Sequence, residues 1–306
     1  MNKRKIDNII EDLGQIEFDE RASAKFKFKD IFSKVIFKNP SMAIGSIMIF
    51  LLIILAIIGP SIAPYDSQEL NMSERFESPS WNHIFGTDNM GRDIFSRVLH
   101  GTRVTFKIGL ASVGIGLAFG LLIGLFAGYS RGKLQNVLMR FIDILYSFPA
   151  LLIAMALVAF LGPSTRNLII AVGIASIRYY ARVTYGVVLV ERNKPYLDAA
   201  EIVGAGALRQ MFRHLIPNIV PPLIVVATLG FAGAVLNAAG LSFLGLGVQP
   251  PTPEWGLILS SGRNYIIRAP WLLIFPGLAI MVAVLSFNIF GDGLRDLLDP
   301  KQQRKV

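Results

Sequence analysis

Residues 198–217 read Asp198-Ala199-Ala200-Glu201-Ile202-Val203-Gly204-Ala205-Gly206-Ala207-Leu208-Arg209-Gln210-Met211-Phe212-Arg213-His214-Leu215-Ile216-Pro217, a polar stretch set between long apolar runs. On a membrane protein such a stretch must lie outside the hydrocarbon and be held there by something else. Pro195 suits the first turn of a helix, where its missing N–H costs nothing, and Asp198 then complements the helix dipole. Ala199, Ala200 and Val203 give a small apolar face, and Gly204 and Gly206 break or turn the chain. A second short helix should follow, with Leu208, Met211, Phe212 and Leu215 on one side and Arg209 and Arg213 on the other. Pro217 is expected to stop it and to open the next apolar run. A helix–turn–helix of this kind suits insertion into a groove on another protein, with a lipid-lying loop as the competing reading.

Working outward, the composition is that of a membrane protein. The chain has 306 residues, 53% of them hydrophobic and 17% charged, against roughly 25% charged in soluble domains. Charge is absent over 42–59, 108–130, 144–165, 214–253 and 269–291. These runs meet or approach the ~20 residues that a ~30 Å hydrocarbon core requires. A sixth span would lie between Arg166 and Arg178, borrowing from Leu161 onward, and is the weakest of the set. The expectation is an all-α polytopic protein with six transmembrane helices. The first run is expected to be a retained anchor, since it exceeds a signal-peptide core and its Ser61-Ile62-Ala63 precedes Pro64.

Lysine and arginine set the orientation. With the amino terminus inside, segments 1–41, 130–140, 191–217 and 293–306 hold 20 Lys and Arg, and segments 61–103, 162–166 and 241–270 hold 7. The positive-inside rule therefore predicts both termini, and the 198–217 stretch, on the cytoplasmic side. The net charge of +9 is mostly this signal, and no aromatic–basic groove argues for nucleic acid. Cysteine is absent, which removes disulfides, thiolate ligands and a cysteine nucleophile.

Four regions follow: a cytoplasmic tail over 1–41, ending in an amphipathic helix with Phe26, Phe28, Ile31, Phe32, Val35 and Ile36; a first helix and outer segment over 42–103; a five-helix core over 104–292 carrying the 191–217 loop; and a tail over 293–306. In the second span Ser112, Gly116, Gly120, Gly124 and Gly128 recur every fourth residue, a strip that lets another helix approach closely. Gly128-Tyr129-Ser130-Arg131-Gly132-Lys133-Leu134 fails as a phosphate loop, both in glycine spacing and in Leu134 where Ser or Thr should hold Mg²⁺. Asp143 is expected to pair with Arg140 or water at the inner end of the third helix, and Arg178 and Arg182 to mark where the fourth leaves the lipid. No metal site and no substrate-binding residues are legible.

Asp198-Ala199-Ala200, Gly204 and Ile216-Pro217 resemble the Glu-Ala-Ala…Gly…Leu-Pro loop of bacterial ABC importer permeases. Asp198 stands for the usual Glu, and His214 for a more usual Ile. The segments 85–97 (Phe-Gly-Thr-Asp…Gly-Arg-Asp…Ser-Arg), Tyr146-Ser147-Phe148-Pro149, 241–247 and 291–300 resemble the dipeptide/oligopeptide/nickel group, in its second ("C") permease subunit. The resemblance implies a type I importer fold in a bacterial plasma membrane. It also implies a homologous second permease subunit, two cytoplasmic ATPases that bind the ATP and Mg²⁺, and an extracytoplasmic binding protein. On this reading Asp198, Ala199, Ala200, Gly204, Arg209, Arg213, His214, Ile216 and Pro217 form the ATPase-coupling loop, and the chain carries no cofactor and no chemistry of its own. An ion-coupled secondary transporter would instead need buried acids and broken helices near the midplane, and a membrane enzyme a catalytic constellation. Peptide is the expected cargo, with a nickel chelate as the alternative.

Overall fold

A computed structural model describes residues 40–298. Both the predicted amphipathic helix before Pro40 and the final eight residues lie outside them. Nine helices carry the described chain: α1 (Pro40–Ile62), α2 (Ile94–Tyr129), α3 (Lys133–Tyr146), α4 (Ala150–Leu161), α5 (Thr165–Glu191), α6 (Pro195–Ile202), α7 (Ala207–Phe243), α8 (Trp255–Gly262) and α9 (Trp271–Leu298). The described residues contain no β-strand, only an isolated bridge between Thr87 and Asp93.

Four of these helices, α1, α2, α7 and α9, are long and apolar enough to cross a membrane. The third apolar run is not one straight helix. It is α3 and α4 meeting at 87° across Ser147-Phe148-Pro149, and the pair makes a fifth span if counted as one. Proline fixes its own backbone and pushes the preceding residue out of the helical region, so the break falls where sterics demand it. α5 has 27 residues, ample length, but Arg166, Arg178 and Arg182 keep it from qualifying on apolarity. Six spans therefore reduce to four or five by length and composition.

Helix α2, about 54 Å long at 1.5 Å per residue, is the axis of the bundle. Its glycine strip lies against α5. A Cβ on Gly120 would sit 2.8 Å from the Ala181 amide nitrogen, one on Gly124 2.9 Å from that of Tyr185, and one on Gly128 2.7 Å from the Val188 Cβ. Ser112, at the strip's head, donates to the Ile169 carbonyl at 3.2 Å. With no side chains between them, the two backbones gain dispersion contacts that a lipid chain cannot match.

The segment before α2 is a compact knot. Asp93 caps α2 by accepting from the Ser96 amide at 2.7 Å, the arrangement that favours Asp at this position. Asp88 accepts from Arg92 Nε at 2.7 Å, and Arg97 Nη1 donates to the Ser67 carbonyl at 3.0 Å. Trp271 Nε1 donates to the Thr87 carbonyl at 3.1 Å, tying the knot to α9. Gly91 has φ +73° and lies so close to the Asn71 backbone that no Cβ fits. The 85–97 motif is thus a structural closure, built from caps and ion pairs.

The 241–270 segment holds more structure than a loop. Glu254, fully buried, caps α8 with both carboxylate oxygens, accepting from the Gly256 and Leu257 amides at 2.9 Å. Trp255 then packs into the bundle and donates to the Val98 carbonyl at 3.0 Å.

Candidate functional site

Helix α6 begins with Pro195 in its first turn and carries Asp198 there, as the sequence predicts. Its end is a Schellman motif: the Ala205 amide donates to the Ala200 carbonyl at 2.9 Å and the Gly204 amide to the Glu201 carbonyl at 2.8 Å, with Gly204 left-handed at φ +86°. That conformation suits glycine and costs other residues about 1–2 kcal/mol. Gly206 then caps the start of α7.

Pro217 does not stop a helix. The chain runs helically from Ala207 to Phe243, and the turn before the proline, Gln210–Leu215, is a π-turn. Proline cannot bond the carbonyl four residues back and its ring crowds it. Widening the preceding turn to i→i+5 bonding relieves the crowding, and the Ile216 amide reaches the Met211 carbonyl. Asn218 Nδ2 donates to the His214 carbonyl at 2.7 Å, adding a side-chain bond across the same turn.

The apolar side predicted for 208–215 is split. Met211 and Leu215 are buried with Leu197, Ile219, Leu125 and Val188. Leu208 and Phe212 are exposed, as are Ile202 and Val203, the last two at 86% and 88%. Asp198, Ala199, Arg209, Arg213 and Pro217 are exposed too, whereas Ala200, His214 and Ile216 are partly covered. The inward half roots the loop and the outward half forms an uncovered apolar patch flanked by two arginines. Polar bonds fix the root to α2: Tyr129 Oη donates to Gln210 Oε1 at 2.9 Å, Gln210 Nε2 to the Ala205 carbonyl at 2.8 Å, and Arg192 Nη1 to the Gly128 carbonyl at 2.6 Å. Tyr129, Gln210 and Arg192 escape a motif-based reading; polar side chains at span ends are the signal that could have found them.

Arg178 and Arg182 are not at a helix end. Arg178 lies 13 residues into the 27-residue α5, about 20 Å along it, at the level of Gly116 and Gly120 on α2. It donates through Nη1 to the Leu145 carbonyl at 2.8 Å and to that of Phe148, so it satisfies carbonyls freed by the α3–α4 break. Asp143 pairs with Arg182 rather than Arg140, and both guanidinium groups lie over the Tyr146 ring. A cavity of about 300 Å³ opens here between α2, α3, α4, α5 and α7. A broken helix at mid-height is what the ion-coupled alternative requires, but among the described residues no carboxylate lines this cavity. Among the described residues, no group of three or more His, Asp or Glu could hold a metal ion.

Comparison with known proteins agrees with this architecture. The family described as "Binding-protein-dependent transport system inner membrane component" matches residues 120–304, and "N-terminal TM domain of oligopeptide transport permease C" matches residues 29–79. The chain is 47% identical over 272 residues to the di/tripeptide transport system permease protein DppC of Pseudomonas aeruginosa (strain UCBPP-PA14), covering 87% of this chain and 90% of that one. It is 44% identical over 266 residues to the dipeptide transport system permease protein DppC of Alkalihalophilus pseudofirmus, covering 87% and 88%. It is 40% identical over 280 residues to the glutathione transport system permease protein GsiD of Pectobacterium atrosepticum, covering 91% and 93%. A solved structure of the MetNI methionine ABC transporter in inward-facing form shares the fold, with a TM-score of 0.53, 20% identity, and coverage of 66% of this chain and 97% of that one. The chain therefore belongs to the inner-membrane components of binding-protein-dependent transport systems, as a C-type permease subunit of the dipeptide/oligopeptide ABC group.

Proposed function

We propose that this chain forms half of the translocation pathway of an ATP-driven peptide importer and transmits the ATPase cycle through residues 195–217. The observation that carries the reading is the loop itself. It is rooted in the bundle by Leu197, Met211 and Leu215, pinned to α2 through Tyr129 and Gln210, and uncovered at Ile202, Val203, Leu208 and Phe212. A rigid root with an apolar, basic-edged tip transmits displacement, because packed elements move as bodies. The relatives are named for dipeptides, di/tripeptides and glutathione, which favours peptide over a nickel chelate.

The complete complex on this reading holds a homologous second permease subunit, two cytoplasmic ATPases and an extracytoplasmic binding protein. ATP and Mg²⁺ belong to the ATPases. Helix α5 serves as the sixth span, with Arg178 paired to the break carbonyls and Arg182 to Asp143, and both termini lie in the cytoplasm. Co-purification tests the docking. The wild-type permease should retain the ATPase subunit through detergent extraction, and Val203→Glu with Leu208→Glu should release it while the chain still inserts. Undiminished retention in that double variant would contradict docking at this patch.

A further inference from the structure

The cavity beside the α3–α4 break has no part in ATPase docking, yet it holds the features expected of a site for a charged solute. Its level is the middle of the bundle: Gly230, on its wall, faces Tyr180 and is central in the Ile216–Phe243 segment of α7, and Arg178 is central in α5. At about 300 Å³ it is at the lower end of the roughly 300–1,000 Å³ of small-molecule pockets. The wall combines apolar surface with Ser176, Asn237, Tyr146 and Tyr179, and among the described residues Arg178 is the only formally charged one on it. The Arg182–Asp143 pair one turn away is internally neutralised. Cations at this depth are costly and face the interior or a water-filled space when they serve function.

Arg178 has a structural duty, since it satisfies the Leu145 and Phe148 carbonyls. Both bonds come from Nη1, so the guanidinium still offers Nη2 and Nε, an edge whose geometry matches a carboxylate. The amino-terminal end of α4 reaches the same cavity at Ala150 and adds to the positive potential. We propose that Arg178 receives the free α-carboxylate of a peptide as it passes through the bundle, making this cavity a mid-pathway subsite. The proposal rests on the peptide-importer reading and adds to it the end of the peptide that this subunit grips.

The chain has no cysteine, so Asn237→Cys places its single thiol on the cavity wall. In the assembled, nucleotide-free complex, the rate of labelling of this thiol by a small neutral reagent is followed with alanyl-alanine or with its carboxyl-terminal amide. The free acid should slow labelling several-fold and the amide should not. Arg178→Gln, which keeps amide donors for the break carbonyls but loses the charge, should abolish the protection. Equal protection by acid and amide, no protection by either, or protection that survives Arg178→Gln would overturn the subsite. The acid–amide comparison needs no Arg178 variant, so it decides even if Arg178→Gln fails to assemble. ATP-dependent uptake of labelled alanyl-alanine by the wild-type complex separates the failures: uptake without protection sinks the subsite alone, whereas absence of peptide uptake sinks the importer reading and the subsite with it.

Discussion

Single residues hold the two ends of this molecule in shape. Near the start of α2, the His83 ring stacks on Tyr65, and its nitrogens lie 2.9 Å from Asp93 and 3.2 Å from Glu74. Carboxylates only accept, so both ring nitrogens donate in the charged form. Burial alone would lower the His83 pKa, but the hydrogen bonds to Asp93 and Glu74 outweigh it and hold the pKa above its ordinary value. The sign follows: a raised folded pKa contributes stability that is fully present below the unfolded value of about 6.5 and is lost as pH rises through the folded value. Thermal unfolding of wild type and His83→Gln should therefore differ more at pH 6 than at pH 8.5, and a gap that widens with pH would contradict the charged bridge. At the loop, Gly204 has open space around it, so a side chain meets backbone strain alone. Gly204→Leu should cost about 1–2 kcal/mol locally and lower transport-stimulated ATPase activity while the complex stays assembled. Stimulation equal to wild type would remove Gly204 from the coupling path. The Gly204 turn was legible because a left-handed helix end writes itself as glycine. His83 was not, since its partners are 9 and 10 residues away and only the folded knot joins them.

Among the elements, α2 and α5 make the test case for packing. Gly120→Leu would drive a side chain into the α5 backbone and should destabilise by about 1–3 kcal/mol, as overpacking does. Gly114→Leu, on the same helix but with nothing near its Cβ and an exposed surface, should be neutral or mildly stabilising through helix propensity. Unfolding temperatures in detergent compare the two directly, and equal losses would refute the strip as the contact face. The strip could be read because a four-residue spacing survives in the linear chain. The route of α7 past Pro217 could not. A proline after polar residues signals a stop, and only packing of Leu215 and Ile219 shows that the chain stays helical by widening one turn. Similarly, Arg178 reads as a membrane-edge residue until the α3–α4 bend brings two free carbonyls to it.

For the molecule as a whole, hydropathy showed an all-helical membrane protein, and the loop motif showed its family. The number of spans stayed harder, because α5 places arginines at mid-height and satisfies them with tertiary partners that no hydropathy window contains. Three levels of the molecule connect: a loop at one end, a glycine-packed α2–α5 pair running up from it, and a cavity at their middle. The central claim is that ATP turnover in the docked ATPases, transmitted through the loop, drives peptide through the bundle, and transport by the whole complex tests that most directly. With permease pair, ATPases and binding protein reconstituted in vesicles, labelled dipeptide should accumulate only with ATP, and the Val203→Glu, Leu208→Glu variant should abolish accumulation. Accumulation independent of ATP, or of nickel and not of peptide, would contradict the account.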